Sequence, residues 1–501
     1  MNSGIEQDVT TVERTEITES TPKTKGGPKR ASRKASDTSA VEARGFSRES
    51  LDALIASRPF EPDWMRDVRL ESWRVLEDTP LPARTDEPWR RTDFAALKFD
   101  AIVSVGAPVA VKSALKRTPV PVRSVLRDKR ASGALLNVDG AIGGHALDEA
   151  LTRRGVIFSD MDTAVQAHGD LLKRAFMTDI VKPNDGYFAA LHGAFWQGGT
   201  FLYVPAGVEV PLALRAVTWL SDRVASLTHT LIVLEPGARV VFIDEYGSRA
   251  QPFDSSAEFI LSEAEGLRAG SARDRQALAC GAVEMLVGRG AQLDYVNWQD
   301  WGRNVFNFTH ERAHIDRDAT LHWIVAGLGG RLTKSFLDSR IIGQGATALM
   351  SGVYFVDGAQ HMDYDTEQNH VAGHSKSDLL YKGALKDKAR AVWQGNIHVY
   401  PDAQRTDAYQ ANRNLALSHD ARTDSIPGLE IEADDVRCTH GSAVSQIDRE
   451  EVFYLMSRGI HQRVAEQLIV NAFFQPVLDR IPHTSVRHRL EASFAAKMGL
   501  A

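Results

Sequence analysis

Two residues towards the C-terminal end carry ligand chemistry at a useful spacing. Cys438 and His440 are two positions apart, which on a strand puts both side chains on one face. A thiolate and an imidazole are suitable donors for iron or zinc. Two donors do not complete a coordination sphere, so a partner has to supply the rest. A Cys-x-His pair taken alone is more often structural than ligating, and both readings stand at this point. The other cysteine, Cys280, lies in the apolar run Leu278-Ala279-Cys280 and reads as a small buried hydrophobe. His361, His370 and His374, with Asp363 and Asp365, form a second group of metal-binding side chains. Alternation places His361, Asp363 and Asp365 on one face. The expected reading of that group is a solvated outer face with histidines in turns.

Other chemistries lack their motifs. With two cysteines and no CxxC, the chain carries neither a Cys-rich zinc site nor a four-cysteine cluster site of its own, and a disulfide framework is not expected. The segment Gly329 to Ser335 ends like a P-loop but lacks its glycine spacing, so a nucleotide would have to be bound by another chain. Neither a Gly-x-Ser-x-Gly elbow nor an HExxH motif occurs. The net charge of -6 over 501 residues gives no signature of nucleic-acid binding. The first ten residues contain Glu6 and Asp8 and no apolar stretch, and no long apolar run follows, so neither a signal peptide nor a membrane span is expected and the location should be cytoplasmic.

The elements that must position these residues fall into four regions. Residues 1–45 are rich in Thr, Ser, Lys, Glu and Gly, too poor in apolar side chains to offset ordering entropy, and are expected to be a disordered polar tail. Residues 46–155 read as a helical and mixed region. Ser47 offers an N-cap before Leu51, Leu54 and Ile55, and a second helix is expected over 62–76 with Trp64, Val68, Leu70 and Trp73 as its apolar side chains. Residues 156–445 read as a β core, strand-like from about residue 195. Leu321, Trp323 and Val325 alternate as in a half-buried strand, whereas Val240-Val241-Phe242-Ile243 suits a strand covered on both faces. Residues 446–501 return to helical spacing, with Asp448 as a cap, Val452, Phe453, Leu455 and Met456 as an apolar face, and Gly459 as a stop.

Within the β core a small turn ending in Ala recurs before each new strand. Pro236-Gly237-Ala238, Gly288 to Ala291, Asp316 to Ala319 and Gly343 to Ala346 are the clear copies. Asp357-Gly358-Ala359, Asp387-Lys388-Ala389 and Pro401-Asp402-Ala403 are weaker ones. The copies fall near multiples of roughly 13 to 14 residues, with a common step of about twice that. Gly and Asp tolerate the backbone of a tight corner. Corners at fixed intervals between short strands are what a β-solenoid needs, and the regular step favours it over a β-sandwich.

The sequence also resembles the SufB/SufD family of iron–sulfur cluster assembly scaffold proteins. The likeness is carried by Ser377 to Gly383, Ala403 to Gln410, Asn412 to Leu415, Ser425-Ile426-Pro427, Leu429 to Ala433, and Asp435 to Gly441 through Phe453 to Gly459. Phe188 to His192, Tyr203 to Val208 and Glu87 to Asp93 add to it. It covers most of the chain after about residue 60 and is densest from 375 to 480. The resemblance implies a mainly β protein, a right-handed β-helix (solenoid) flanked by N-terminal and C-terminal helical regions. It implies a non-catalytic subunit that pairs with a second scaffold, SufB, through the β-helix ends and binds an ATPase, SufC, through the C-terminal helices. A sulfur donor system would act on the complex indirectly. A nascent iron–sulfur cluster, or iron, would form transiently at the shared interface, with His440 and Cys438 as interface ligands. Thr439-His440-Gly441 stands where SufB carries Glu-His-Glu, and the cysteine that SufB has shortly after its match to Arg413-Asn414-Leu415 is absent here, with Ser418 the nearest small polar residue, so the likeness is to the SufD branch. A SufB-like homodimer and, further off, a free-standing β-helix enzyme such as a polysaccharide lyase are the alternatives. The segment Phe473 to Pro476 is a candidate contact for the ATPase, with ordinary helix-pair core the stronger reading for at least one of its two phenylalanines.

Overall fold

In the computed structural model, the structure describes residues 45–99, 102, 115–116, 118–220, 225–248 and 276–499. The polar tail expected over 1–45 lies outside the described residues as far as residue 44. The core is a β-solenoid of two sheets, to which successive strands contribute alternately. One sheet holds Leu214–Leu220, Arg239–Ser248, Gln292–Asp300, Thr320–Gly327, Thr347–Val356, Lys376–Leu385, Asp407–Ala416 and Arg437–Gln446 in that order. The other holds Gly199–Val204, His229–Leu234, Ala277–Val287, Val305–Ile315, Leu332–Ile341, His361–His370, Arg390–Val399 and Arg422–Ile431. All these neighbours run parallel, and the registers advance without a slip, as from Thr347 opposite Lys376 to Val356 opposite Leu385. Helices precede and follow the solenoid, so the mainly β class with helical flanks is as expected.

The recurring turns are the corners of the coils. Gly237, Gly290 and Gly345 have φ of 71°, 65° and 75°, and Asp318 and Asp387 reach 56° and 60°. These are left-handed conformations that Gly, and to a lesser degree Asp, enter at small cost. The alanines that follow, Ala238, Ala291, Ala319, Ala346 and Ala389, are all buried, because the chain turns inward there with room for one methyl group. The copy at 357–359 is displaced by one residue. Ala359 is exposed, and Gln360 occupies the inner corner, where its Nε2 donates to the Gly330 carbonyl at 2.7 Å.

Inside the coils, large aromatic rings lie beside glycines. Tyr295, Trp323, Tyr354, Tyr364, Tyr381 and Trp393 are buried and belong to one continuous core. A Cβ on Gly383 would fall on the Tyr354 ring, and one on Gly352 on the Tyr381 ring. Glycine is therefore the partner that lets these rings fill a narrow interior.

Both outer faces are covered by helical segments. The C-terminal helices Gln462–Leu478 and Thr484–Lys497 bury Val470, Phe474, Val477, Leu490 and Phe494 against Trp298, Ile324, Ala326, Val353 and Phe355. The strand Thr320–Gly327 is therefore covered on both faces rather than half-buried, since its outward Ile324 lies beneath these helices. On the second sheet, the helix Tyr187–Phe195 and the turn Glu87–Trp89 pack aromatic rings, with Phe188 stacked on Phe308 at 3.8 Å. The strand Gly133–Val138 already pairs with Leu214–Leu220, and the helix Met161–Lys173 follows it. The two strands that begin the sheets are antiparallel. Ala141–Leu147 pairs with Gly133–Val138 with a register shift at Leu136 and Asn137, and Ile157–Asp160 pairs with Gly199–Val204.

Candidate functional site

The strand Arg437–Gln446 that carries Cys438 and His440 is the last of its sheet, and Arg422–Ile431 is the last of the other. Together they form the final coil. Its register fixes where each side chain points. Cys438 lies over Ala408, His440 over Gln410, Ser442 over Asn412 and Val444 over Asn414. Those four lower residues are buried and point into the solenoid. Cys438 and His440 thus continue an interior row, and the i, i+2 spacing places them on one face as the sequence required. Among the described residues no further coil covers them. His440 is exposed, and Cys438 is half-buried among Ile397, Val399, Ala403, Ala408, Ala433 and Val436.

The opposite strand ends in the same way. Leu429 and Ile431 lie over the buried Ile397 and Val399 but are 39% and 42% exposed, and Val444 is 55% exposed. These are interior-type side chains left in solvent, bordered by strand edges that have no hydrogen-bonded neighbour among the described residues. Such an edge is a template for another chain, and such a patch marks a contact surface. Burial raises the pKa of the Cys438 thiol, and the charge of Asp407 adds to this, so the thiol is held protonated in the isolated chain. A thiolate would form there only with a cation brought from outside.

The second group of candidate ligands is separated by the fold. Asp363 and Asp365 do share the outward face with His361, but that face is covered. Lys334, fully buried, pairs with Asp363 at 3.0 Å and Asp365 at 2.8 Å. Thr92 of the Glu87–Asp93 segment bonds Asp363 and reaches His361 Nε2 at 3.0 Å. The expected solvated face is therefore a clamp between the N-terminal segment and the second sheet. His370 points inside, bonded to Ser375 and Ser377 at 2.7 and 2.8 Å, and His374 sits in a turn with φ of 56°. The five residues do not converge. Cys280 is buried as expected, its Sγ donating to the Phe188 carbonyl at 3.2 Å, and burial pushes its thiol far up.

The C-terminal helices hold a second exposed apolar surface. Asp448 caps the helix Arg449–Ser457 by accepting from Glu450 N, and Gly459 ends it with φ of 85°. Only Val452 of that helix is buried. Phe453 is 72% exposed, Tyr454 57% and Met456 44%, and on the next helix Val464 and Leu468 are 38% and 45% exposed. The candidate contact at Phe473 and Phe474 is mostly internal. Phe474 stacks on Phe494 at 4.3 Å, and the Phe473 ring takes the Lys382 ammonium at 4.6 Å from its centre. Helical spacing alone placed Phe453 and Met456 inward, and nothing local in the sequence shows that the helix lies too far from the sheet to bury them.

Residues 218–473 match the family described as SUF system FeS cluster assembly, SufBD core domain. An iron–sulfur cluster assembly SufBD family protein of Staphylococcus aureus (strain MRSA252) is 26% identical over 452 residues, covering 88% of this chain and 90% of that protein. The iron–sulfur cluster assembly protein SufB of Bacillus subtilis (strain 168) gives the same identity and the same coverage. No helix among the described residues is long and apolar enough to cross a membrane.

Proposed function

Since the chain belongs to the SufBD family of iron–sulfur cluster assembly proteins, we propose that it is a SufD-like scaffold subunit whose open coil pairs with a SufB-type partner and shares a nascent cluster with it. The observation that carries this reading is the uncovered final coil. Cys438 and His440 continue an interior row that no described residue completes, and Leu429, Ile431 and Val444 offer a second chain an apolar seat. Iron or the cluster is cargo here rather than a resident cofactor. Thiolate and imidazole suit it, and the incoming iron would displace the proton from Cys438. The exposed surface of Phe453, Tyr454, Met456, Val464 and Leu468 is the proposed seat of the SufC ATPase. The family assignment removes the free-standing lyase. A SufB-like homodimer is the second reading, supported by the similarity to a SufB protein, and Thr439-His440-Gly441 argues against it.

Co-expression of the tagged chain with SufB and SufC tests the proposal. The expected result is a complex of one SufB, one copy of this chain and two SufC. His440→Ala should leave that complex intact and impair cluster assembly. A chain that purifies alone in the presence of both partners overturns the scaffold pairing. A homodimer that holds a cluster without SufB replaces the SufD-like reading by the SufB-like one.

A further inference from the structure

On the outer wall of the last two coils, three side chains that the sequence did not single out converge. In the strand Arg390–Val399, Ile397 and Val399 point inward, so His398 points out. Glu430 is its register partner in the next coil. Parallel in-register strands lie about 4.8 Å apart, so outward side chains on partnered residues meet. Glu432 N donates to the Val399 carbonyl at 2.9 Å, which carries the ladder one residue past the strand and sets Glu432 on the same side as Glu430. His398 Nε2 lies 3.1 Å from Glu432 Oε1, and its Nδ1 lies 3.9 Å from Glu430 Oε2. One ligand atom from each of the three residues falls within 4.8 Å of the other two.

Two further features distinguish this group from a chance surface ion pair. The imidazole is not free to swing, because the Tyr400 ring stacks on it at 4.1 Å with an interplanar angle of 22°. An oriented ring is what a metal-ligating histidine needs. The charge is also unbalanced. Two carboxylates face one imidazole, and Glu430 adds to the acidic field that, after burial and Asp338, holds the neighbouring Glu367 carboxyl up at about 7. A divalent cation brings two positive charges to the two carboxylates.

We propose that His398, Glu430 and Glu432 bind a divalent transition-metal ion of the iron–zinc class. One nitrogen and two carboxylate donors suit such ions, whereas calcium and magnesium prefer all-oxygen sites. Three protein ligands leave coordination positions for water, and the side chains of Glu430 and Glu432 are 59% and 45% exposed. The site is therefore open and exchangeable, not a closed structural one. Ile397 and Val399, which flank His398, pack on their inner side against Cys438. The metal and the Cys438 thiol thus lie on opposite faces of one wall. The proposal stands on these residues alone and does not require the scaffold reading.

The test uses the full chain without a polyhistidine tag, titrated with Co2+ and followed by visible absorption, with Zn2+ calorimetry as a second measure. One saturable equivalent is expected, without the thiolate-to-cobalt charge-transfer band that Cys438 would produce. His398→Ala should weaken binding by at least about tenfold. Glu432→Gln, which keeps the shape of the side chain and so the fold, should weaken it as well. Cys438→Ser and His440→Ala should leave it unchanged. Absence of a saturable equivalent, unchanged affinity in the His398→Ala/Glu432→Gln double variant, or loss of binding in Cys438→Ser or His440→Ala would each overturn the assignment. Failure of the co-expression test would leave this result untouched.

Discussion

His229 Nε2 lies 2.9 Å from Glu284 Oε2, with both side chains fully buried. The proton inventory around this pair is fixed by its neighbours. His192 Nδ1 must donate to the Cys280 carbonyl at 2.9 Å, so its Nε2 is an acceptor. His229 Nδ1 then donates to it at 3.1 Å, which leaves a single proton to be shared between His229 Nε2 and Glu284. Burial and the neighbouring His229 push the His192 pKa well down, in keeping with a neutral ring there. Glu284 also accepts from the backbone of Met177 and Val181, both at 2.9 Å, and so ties the segment before the solenoid to the second sheet.

Glu284→Ala leaves two backbone donors and an imidazole without their acceptor. The expected loss of stability is about 3–5 kcal/mol, and Glu284→Gln should cost about 1–3 kcal/mol because an amide oxygen still accepts. Urea unfolding of both variants decides this, and equal losses would show that an amide oxygen does not replace the carboxylate as acceptor.

Glu311 sets a pH dependence. It is buried inside the solenoid, and burial raises its carboxyl to about 8, with Asn297 and the Asp244 charge as smaller influences of opposite sign. The folded state therefore binds this proton more tightly than the unfolded chain does. The stabilisation is full below about pH 4.3, the unfolded value, and is lost as pH rises towards 8. Glu311→Gln cannot ionise, so its urea midpoint should vary less between pH 5 and 8, and at pH 8 it should exceed the parent by about 1–3 kcal/mol. Parallel curves for the two proteins would refute a neutral Glu311.

The glycines inside the coils set a third expectation. Gly383→Ala forces its new methyl group onto the Tyr354 ring. The Tyr354 hydroxyl is held at 2.5 Å from Asn414 Oδ1, so the ring has little freedom to yield. A loss of about 1–3 kcal/mol is expected by overpacking. The double variant Gly383→Ala/Tyr354→Leu should recover part of it, as measured by thermal or urea unfolding.

The exposed apolar surface of the C-terminal helices gives a fourth. Phe453→Asp and Leu468→Asp lie outside any core, so the unfolding midpoint should stay close to that of the parent. Affinity for the proposed ATPase partner should fall by roughly thirtyfold or more if these are central contacts. Unchanged affinity in a pull-down and by calorimetry would move the contact elsewhere.

The solenoid was legible in the sequence because its corners repeat. A Gly or Asp followed by a buried Ala recurs at most of the corners, and each instance is local. The pairing of Cys438 with His440 was legible for the same reason, since two residues on one strand need no tertiary information. What joins distant segments was not. His398 and Glu430 meet only because the parallel register sets them side by side, and Lys334 reaches Asp363 and Asp365 across the same kind of ladder. The spacing of Phe453 and Met456 was read as a buried helix face, but burial depends on how far that helix lies from the sheet, which no periodicity reports.

The ladder has a direction. At its start both sheets finish on antiparallel strands, one of them with a register shift, while at its far end both finish on parallel strands with free edges. Growth of a fibre needs two complementary ends, and the two ends of this ladder differ in strand direction. The helices on the two flanks close off sideways stacking. The two ends of the ladder are therefore unlike, and pairing of one far end with another gives a closed pair rather than a growing fibre.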